Sequence, residues 1–462
     1  MKQIKLNSTI IILLAFAFLS IPTYTRAATI TVTDETTLRN ALTNVIDGTI
    51  VNITEDIKVT NKIQITGKGQ VTINGNGNTV SGNSNSTDRI FELHADNGNS
   101  NLLTVNFNDL TIINAKSNSR GIDTRTDNII LNLNKITIKN TGGGNNQPLT
   151  IGGTDSGTTT INIKNSKLNT GNSGYAIIAF VKTNLNIDNS TIEGWAALYF
   201  KEGSTGSNVK VTNSKLIGIN NHNGISNSFG TIAFDTTDVV IEIIDSEIKA
   251  IGKGNAFQAV ISTDEKIAKD EKVQNTVIIS GNSNIEISNK VELENQNNSN
   301  PFAINKNSTN LILKEGITSN INIPTEYIDK YLTVVPGENN YIIGKLHQIK
   351  IKNIGNGTTK VNSLTPIIGQ TITIQTTPNK GYILSSIKAI NLTTNKEIKI
   401  TNKKFVMPDA DVSITVTFSK TIPNPATNDN IINHLIIISL SIIGIIISSI
   451  HINKKRMSHI NN

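Results

Sequence analysis

The chain of 462 residues contains no cysteine, a single tryptophan and only 4% aromatic residues. Without cysteine there is no disulfide framework and no thiol chemistry. With so few rings, the core has to be aliphatic, built from Ile, Leu and Val. Helix-period stretches are scarce, which excludes an alternating strand-helix-strand protein. Metal-type spacing of His and carboxylates is lacking. The glycine-rich GNGNT and TGGGNN stretches lack the Lys-Ser/Thr and the following helix of a phosphate loop. No metal or other cofactor is expected. A basic binding face is missing as well. Of the formal +7, Lys2, Lys5 and Arg26 supply +3, the stretch beyond Thr427 supplies a net +2, and +2 is left for the body. That is no footprint for nucleic acid.

What the chain does have is a repeat. INIKNSKLNT (Ile161–Thr170), LNIDNSTIEG (Leu185–Gly194) and VKVTNSKLIG (Val209–Gly218) place Asn-Ser pairs 24 residues apart, at Asn165-Ser166, Asn189-Ser190 and Asn213-Ser214. A weaker copy puts Asp245-Ser246 32 residues further on. Each copy alternates apolar and polar residues, the period of a strand with one buried face. One such strand cannot bury its face alone, but stacked copies bury a continuous core. Leu110, Ile136, Ser166, Ser190, Ser214 and Ser246 align with steps of 26, 30, 24, 24 and 32. The expected fold is all-β: a parallel β-helix followed by a smaller β-rich domain. Thr33–Asn44 carries Leu38, Ala41 and Leu42 at helical spacing, with Thr33 or Asp34 as N-cap. Such a helix would cover the open first coil.

The two ends read as targeting segments. Lys2 and Lys5, the apolar run Ile10–Ile21 and Thr25-Arg26-Ala27 compose a signal peptide over residues 1–27, cleaved before Ala28. At the other end, Leu435–Ile452 is uncharged and mostly apolar, and Lys454-Lys455-Arg456 follows it. A membrane helix over 431–453 with a basic cytoplasmic tail at 454–462 is expected.

Three resemblances add to this. The short helix, the strands that follow it and VTINGNGNTVSG (Val71–Gly82) resemble the opening of pectate-lyase-like surface domains, over about Thr29 to Thr333. That likeness implies a pectin-lyase-like solenoid for 28–345. Together with the preference of parallel crossovers, it implies a right-handed one. Gly369 before TITIQTTP, Gly381-Tyr382 and FVMPDADVSITVTF (Phe405–Phe418) resemble the divergent B-repeat family named after internalin. The likeness implies a spacer or interaction module over 346–420. The linker 421–430, the apolar run and the basic tail resemble a Gram-positive sorting signal, Leu-Pro-x-Thr-Gly. Here the motif reads Asn424-Pro425-Ala426-Thr427-Asn428, matching at Pro and Thr but not at the first and last positions. The resemblance implies transfer of Thr427 to peptidoglycan by a sortase; the alternative is a retained membrane anchor.

Candidate chemistry is sparse. SRGIDTRTDN brings Arg120, Asp123, Arg125 and Asp127 close together in sequence, and within a strand Asp123, Arg125 and Asp127 would share a face. The default reading is a solvated, salt-bridged face; if the chain is an enzyme, these four are its catalytic candidates. Neighbouring coils do not repeat the acids as a calcium cluster would require: Asp155, Asp188, Asp235, Asp238 and Asp245 are scattered. Asp188 would stack between Lys164 and Thr212, which are not acidic. His94 and His222 read as isolated surface histidines. In EGWAALYF, Trp195 and Tyr199 share a side, with Phe200 opposite; they are core residues or a ligand-stacking platform.

The resulting expectation is an exported, surface-anchored adhesin or display module. Its expected partners are an extracellular glycan or a host or matrix protein. The alternatives are a polysaccharide lyase and a non-binding stalk.

Overall fold

The computed structural model describes residues 27–83, 85, 88–96, 101–153, 157–171, 173–220, 230–252, 259–264, 273–288, 302–304, 307–329, 331–337, 339–422 and 431–458. The signal peptide proper, His222, Asp155 and the sorting motif Asn424–Asn428 lie outside them. The chain divides into two compact units, Met1–Lys345 and Leu346–Asn462.

The first unit is almost entirely strand. Among the described residues its strands form one sheet of twenty-one strands and one of nine. Each full repeat contributes three segments. The repeat that opens with Thr183–Asp188 turns a corner, continues as Thr191–Gly194 in the same large sheet, and then crosses to Leu198–Phe200 in the smaller one. Every segment pairs in parallel with its equivalent in the next repeat. The offset ranges from 21 residues (Ile177 with Leu198) to 41 (Ile261 with Phe302). Insertions enter between segments without shifting the register.

The Asn-Ser pairs make the corner. Asn165, Asn189, Asn213 and Asp245 have φ between 46° and 52°, the left-handed region. Asn and Asp tolerate this conformation because their short polar side chains bond locally. The serine that follows satisfies the buried backbone. Ser166 N–H donates to Ser190 Oγ at 3.0 Å, Ser190 N–H to Ser214 Oγ at 3.0 Å, and Ser214 N–H to Ser246 Oγ at 3.1 Å. Each of these hydroxyls donates in turn to the carbonyl two residues earlier in its own chain segment. The ladder runs one rung further, to Ser283. One rung before Asn165 the corner is held by Lys135, at φ 56° with an exposed side chain. A lysine has no local bond to offset this strain. Lys135→Asn should therefore stabilise the protein by about 0.5–1 kcal/mol, read as a raised urea midpoint at unchanged slope. An unchanged or lowered midpoint would contradict the account of the corner.

One aliphatic core runs through this unit from Val32 to Ile343. Two of its few rings stack rung on rung. Phe200 and Phe234 are register partners with ring centroids 5.7 Å apart and planes 20° apart. The first rung is closed by the helix Glu35–Leu42, whose N-cap is Asp34, accepting from Thr37 N–H at 2.8 Å. Leu38 and Leu42 are buried beneath it. Arg39 and Val45 donate to Lys62 O and Thr66 O at the edge of the nine-stranded sheet, so that edge offers fewer free carbonyls to a stray strand. At the last rung the pairing changes sense. Thr318 and Ser319 pair antiparallel with the hairpin Thr333–Pro336/Tyr341–Gly344, and Tyr327 packs edge-on against Phe302.

The second unit holds a four-stranded sheet (Ile349–Ile354, Val412–Lys420, Tyr382–Asn391, Glu397–Ile398) and a three-stranded one (Gly357–Val361, Thr371–Pro378, Lys404–Val406). They share a small core in which Phe405 and Phe418 are buried and Tyr382 is partly buried. Gly381 turns the chain after Pro378 at φ 83°. The helix Ile431–Ser458 includes Leu435–Asn453, a segment long and apolar enough to cross a membrane.

Candidate functional site

The nine-stranded sheet has one face on the core and one turned away from it. Phe91, Ile122, Leu149, Ile177, Leu198 and Ile232 are register neighbours, and all point into the core. The next residue on each strand belongs to the opposite face. That outer row reads Gln64, Glu92, Asp123, Thr150, Ile178, Tyr199, Ala233, Ser262. It changes from charged to aromatic within a few rungs, at about 4.8 Å per rung.

The charged end is built on two buried carboxylates in adjacent rungs. The Glu92 side chain is 3% exposed and that of Asp123 is 0% exposed. Glu92 accepts from Lys62 Nζ at 2.7 Å and Gln64 Nε2 at 3.0 Å, bonds His94 Nε2 at 2.9 Å, and is bonded by Arg89 Nη1. Asp123 is less well provided. Its Oδ2 faces Arg89 at 3.3 Å, Arg120 at 3.5 Å and Arg125 at 3.7 Å, and its buried Oδ1 has no hydrogen-bond partner among the described residues. The two acids therefore move apart. Burial pushes Glu92 up, but its bonds from Lys62, Gln64, His94 and Arg89 outweigh this and hold it well below the usual carboxylate range. Burial pushes Asp123 up too. The guanidinium groups of Arg120, Arg89 and Arg125 oppose the shift without reversing it, and the Glu92 charge adds to it. Arg120 Nε also donates to Gln147 Oε1, which Thr150 bonds from below. Arg125, 47% exposed, is the most open cation of the group.

The strand Arg120–Thr124 ends one residue after Asp123, so Arg125 and Asp127 lie past it in the turn. The expected single face of Asp123, Arg125 and Asp127 is therefore not what holds these residues together. Asp127 is buried against Gly153 and Gly157, and Arg125 reaches back to Asp123. Sequence reasoning missed Lys62, Arg89 and Glu92, and it left His94 isolated. A usable signal was present: Arg89-x-x-Glu92 recurs 31 residues later as Arg120-x-x-Asp123.

At the aromatic end, Tyr175, Ile178, Ala196, Tyr199 and Ala233 form a cluster separate from the main core, with Trp195 packed against it. Tyr175 lies 4.7 Å from Tyr199 and meets Trp195 edge-on at 5.8 Å. Trp195 sits in the turn after Thr191–Gly194, while Phe200 points into the main core. Burial, with the nearby Asp235 charge, raises the Tyr175 phenol to about 12. Burial and the bond to Asp235 push Tyr199 higher still, so both remain neutral phenols. Asp188 lies between Lys164 and Thr212, accepting from Thr212 Oγ1 at 2.8 Å. Among the described residues no three His, Asp or Glu side chains are grouped to hold a metal ion.

No curated protein and no solved structure gives a significant match to the chain. Residues 347–422, within the second unit, match the family model of the divergent InlB B-repeat domain.

Proposed function

We propose that the chain is an exported, surface-held protein whose first unit is a right-handed parallel β-helix presenting its outer face to an extracellular ligand. The ligand is a glycan or a protein, and the activity is adhesion or display. In-register parallel pairing of three segments per repeat supports the β-helix. The apolar segment Leu435–Asn453 and the B-repeat domain support attachment at a cell surface. Sortase transfer at Thr427 and retention in the membrane are the two routes to that attachment.

One observation carries the binding reading: the uneven outer row of the nine-stranded sheet. One row of the large sheet is monotonous by comparison over four rungs. There Asn106, Asn132, Asn162 and Asn186 form a plain amide ladder at 2.7–2.8 Å. On the smaller sheet, guanidinium forks suited to planar oxyanions and hydroxyls stand three rungs, about 14 Å, from a half-buried tryptophan. An extended ligand lying along the axis would meet both.

A second reading, polysaccharide cleavage, is favoured by one feature. Neighbouring carboxylates whose proton affinities are pushed in opposite directions are the usual basis for acid and base roles. Against it, both carboxylates are buried beneath the arginines. The full-length chain should be tested against acidic and neutral polysaccharides, with and without calcium, following both retention and chain cleavage. Retention without cleavage is expected. Cleavage that leaves an unsaturated sugar end would replace adhesion with lyase activity, and the absence of both retention and cleavage would remove the glycan from the reading.

A further inference from the structure

Lys201, Asp235 and Asp264 each follow directly after register-paired residues, Phe200, Phe234 and Thr263. The backbone keeps them on successive rungs. Lys201 N–H donates to Ala179 O at 2.8 Å, Asp235 N–H to Phe200 O at 2.8 Å, and Asp264 N–H to Phe234 O at 2.9 Å. Lys201 Nζ is in direct contact with Asp235 Oδ2. It also lies 2.9 Å from the Tyr199 hydroxyl and 4.9 Å from that ring's centroid. The Tyr199 hydroxyl donates to the same Oδ2. Asp264 follows on the next rung, and its charge acts on Tyr199 as well. Lys201 is 33% exposed and Asp235 17% exposed, against the aromatic cluster.

We propose that Lys201 and Asp235 are joined by an intramolecular amide bond that forms once the rungs have stacked. An ammonium and a carboxylate do not condense at useful levels when free in water. Held in contact on two rigid strands, they gain a large effective concentration and a fixed line of attack. A proton passes from Nζ to the Asp235 carboxylate and settles on Oδ1, which gives an amine and an acid. The Nζ lone pair attacks Cγ, and negative charge builds on Oδ2. Tyr199, a neutral phenol, already donates to that atom. Asp264 takes a second proton from Nζ and passes it to the departing hydroxyl, which leaves as water. The Nζ–Cγ bond forms, the Cγ–Oδ1 bond breaks, and no oxidant or other reactant is needed.

Other lysine-carboxylate contacts lack this setting. Lys215–Glu247 and Lys249–Glu286 show no phenol bonded to their carboxylates among the described residues. Lys62–Glu92 lies among cations that hold the acid ionised and so make it a poor electrophile.

The test is mass spectrometry of the full-length chain and of its proteolytic peptides. The expected wild-type protein is lighter than its unlinked sequence by one water and yields a branched peptide joining Lys201 to Asp235. Lys201→Met and Asp235→Ala should each restore the unlinked mass. Asp264→Ala and Tyr199→Phe should leave a mixture that converts slowly. An unlinked mass, or a water loss that persists in Lys201→Met, would overturn the proposal, as would linear peptides at both positions.

Discussion

Replacing Glu92 by glutamine should lower folding stability by about 3–5 kcal/mol, the range for breaking a buried charge network from one side. The exchange keeps the shape and removes the charge that Lys62, His94 and Arg89 converge on. The side chain has almost no solvent to fall back on. Asp123→Asn should cost much less, about 1 kcal/mol or under. Asp123 has contacts of 3.3–3.7 Å in place of good hydrogen bonds, and one of its oxygens already has no partner. The pH dependence separates the two acids. Glu92 has a lowered pKa in the folded state, so its stabilisation is complete above the ordinary carboxylate range and is lost as pH falls toward the lowered value. Asp123 has a raised pKa, so its contribution is present in acid and is lost as pH rises through the raised value. Denaturant midpoints across pH should show Glu92→Gln flattening the acid loss and Asp123→Asn flattening the decline on the less acidic side. Equal costs for the two variants at neutral pH would contradict this electrostatic account.

Phe234→Ala should cost about 3–5 kcal/mol, as large-to-small changes in a close-packed core do. Phe234 is 1% exposed, stacks on Phe200 and belongs to the continuous core. Each rung contributes few side chains to that core, and aromatics are rare, so no other ring can move in to fill the cavity. Phe180, 38% exposed at the end of its strand segment, is the matched control, and its exchange should stay within about 1 kcal/mol. Urea midpoints for both variants test the register directly. If Phe234 does not stack inside, the two substitutions will cost the same.

The repeat was readable in the sequence because its physical demands recur at every rung. A left-handed corner calls for Asn or Asp, and the buried amide beyond it calls for a serine hydroxyl, so Asn165-Ser166 returns as Asn189-Ser190 and Asn213-Ser214. The helix Glu35–Leu42 was readable for the same kind of reason: Asp34 and the spacing of Leu38 and Leu42 are local signals. The charged end of the site depends on pairing across loops of unequal length. Glu92 meets Asp123 only once the strands Arg89–Ala95 and Arg120–Thr124 are in register. Alternation in SRGIDTRTDN suggested a longer strand than exists, because the chain turns after Thr124 and buries Asp127 against glycines. The cluster around Trp195 and Tyr199 also needed Tyr175 and Ala233 from neighbouring rungs, which no local pattern in EGWAALYF announces.

The most direct measurement of the central claim is the affinity of the full-length chain for a retained polysaccharide, comparing substitutions on its two sheet faces. Arg125→Ala and Trp195→Ala change the outer face of the nine-stranded sheet at its charged and aromatic ends. Asn162→Ala and Asn186→Ala change the amide ladder of the large sheet. The account predicts a loss of about tenfold or more for each of the first two, a scale expected of an anchoring arginine or aromatic, and little change for the ladder variants, with all four folded by circular dichroism. Equal losses on both faces, or a loss confined to the ladder, would contradict it.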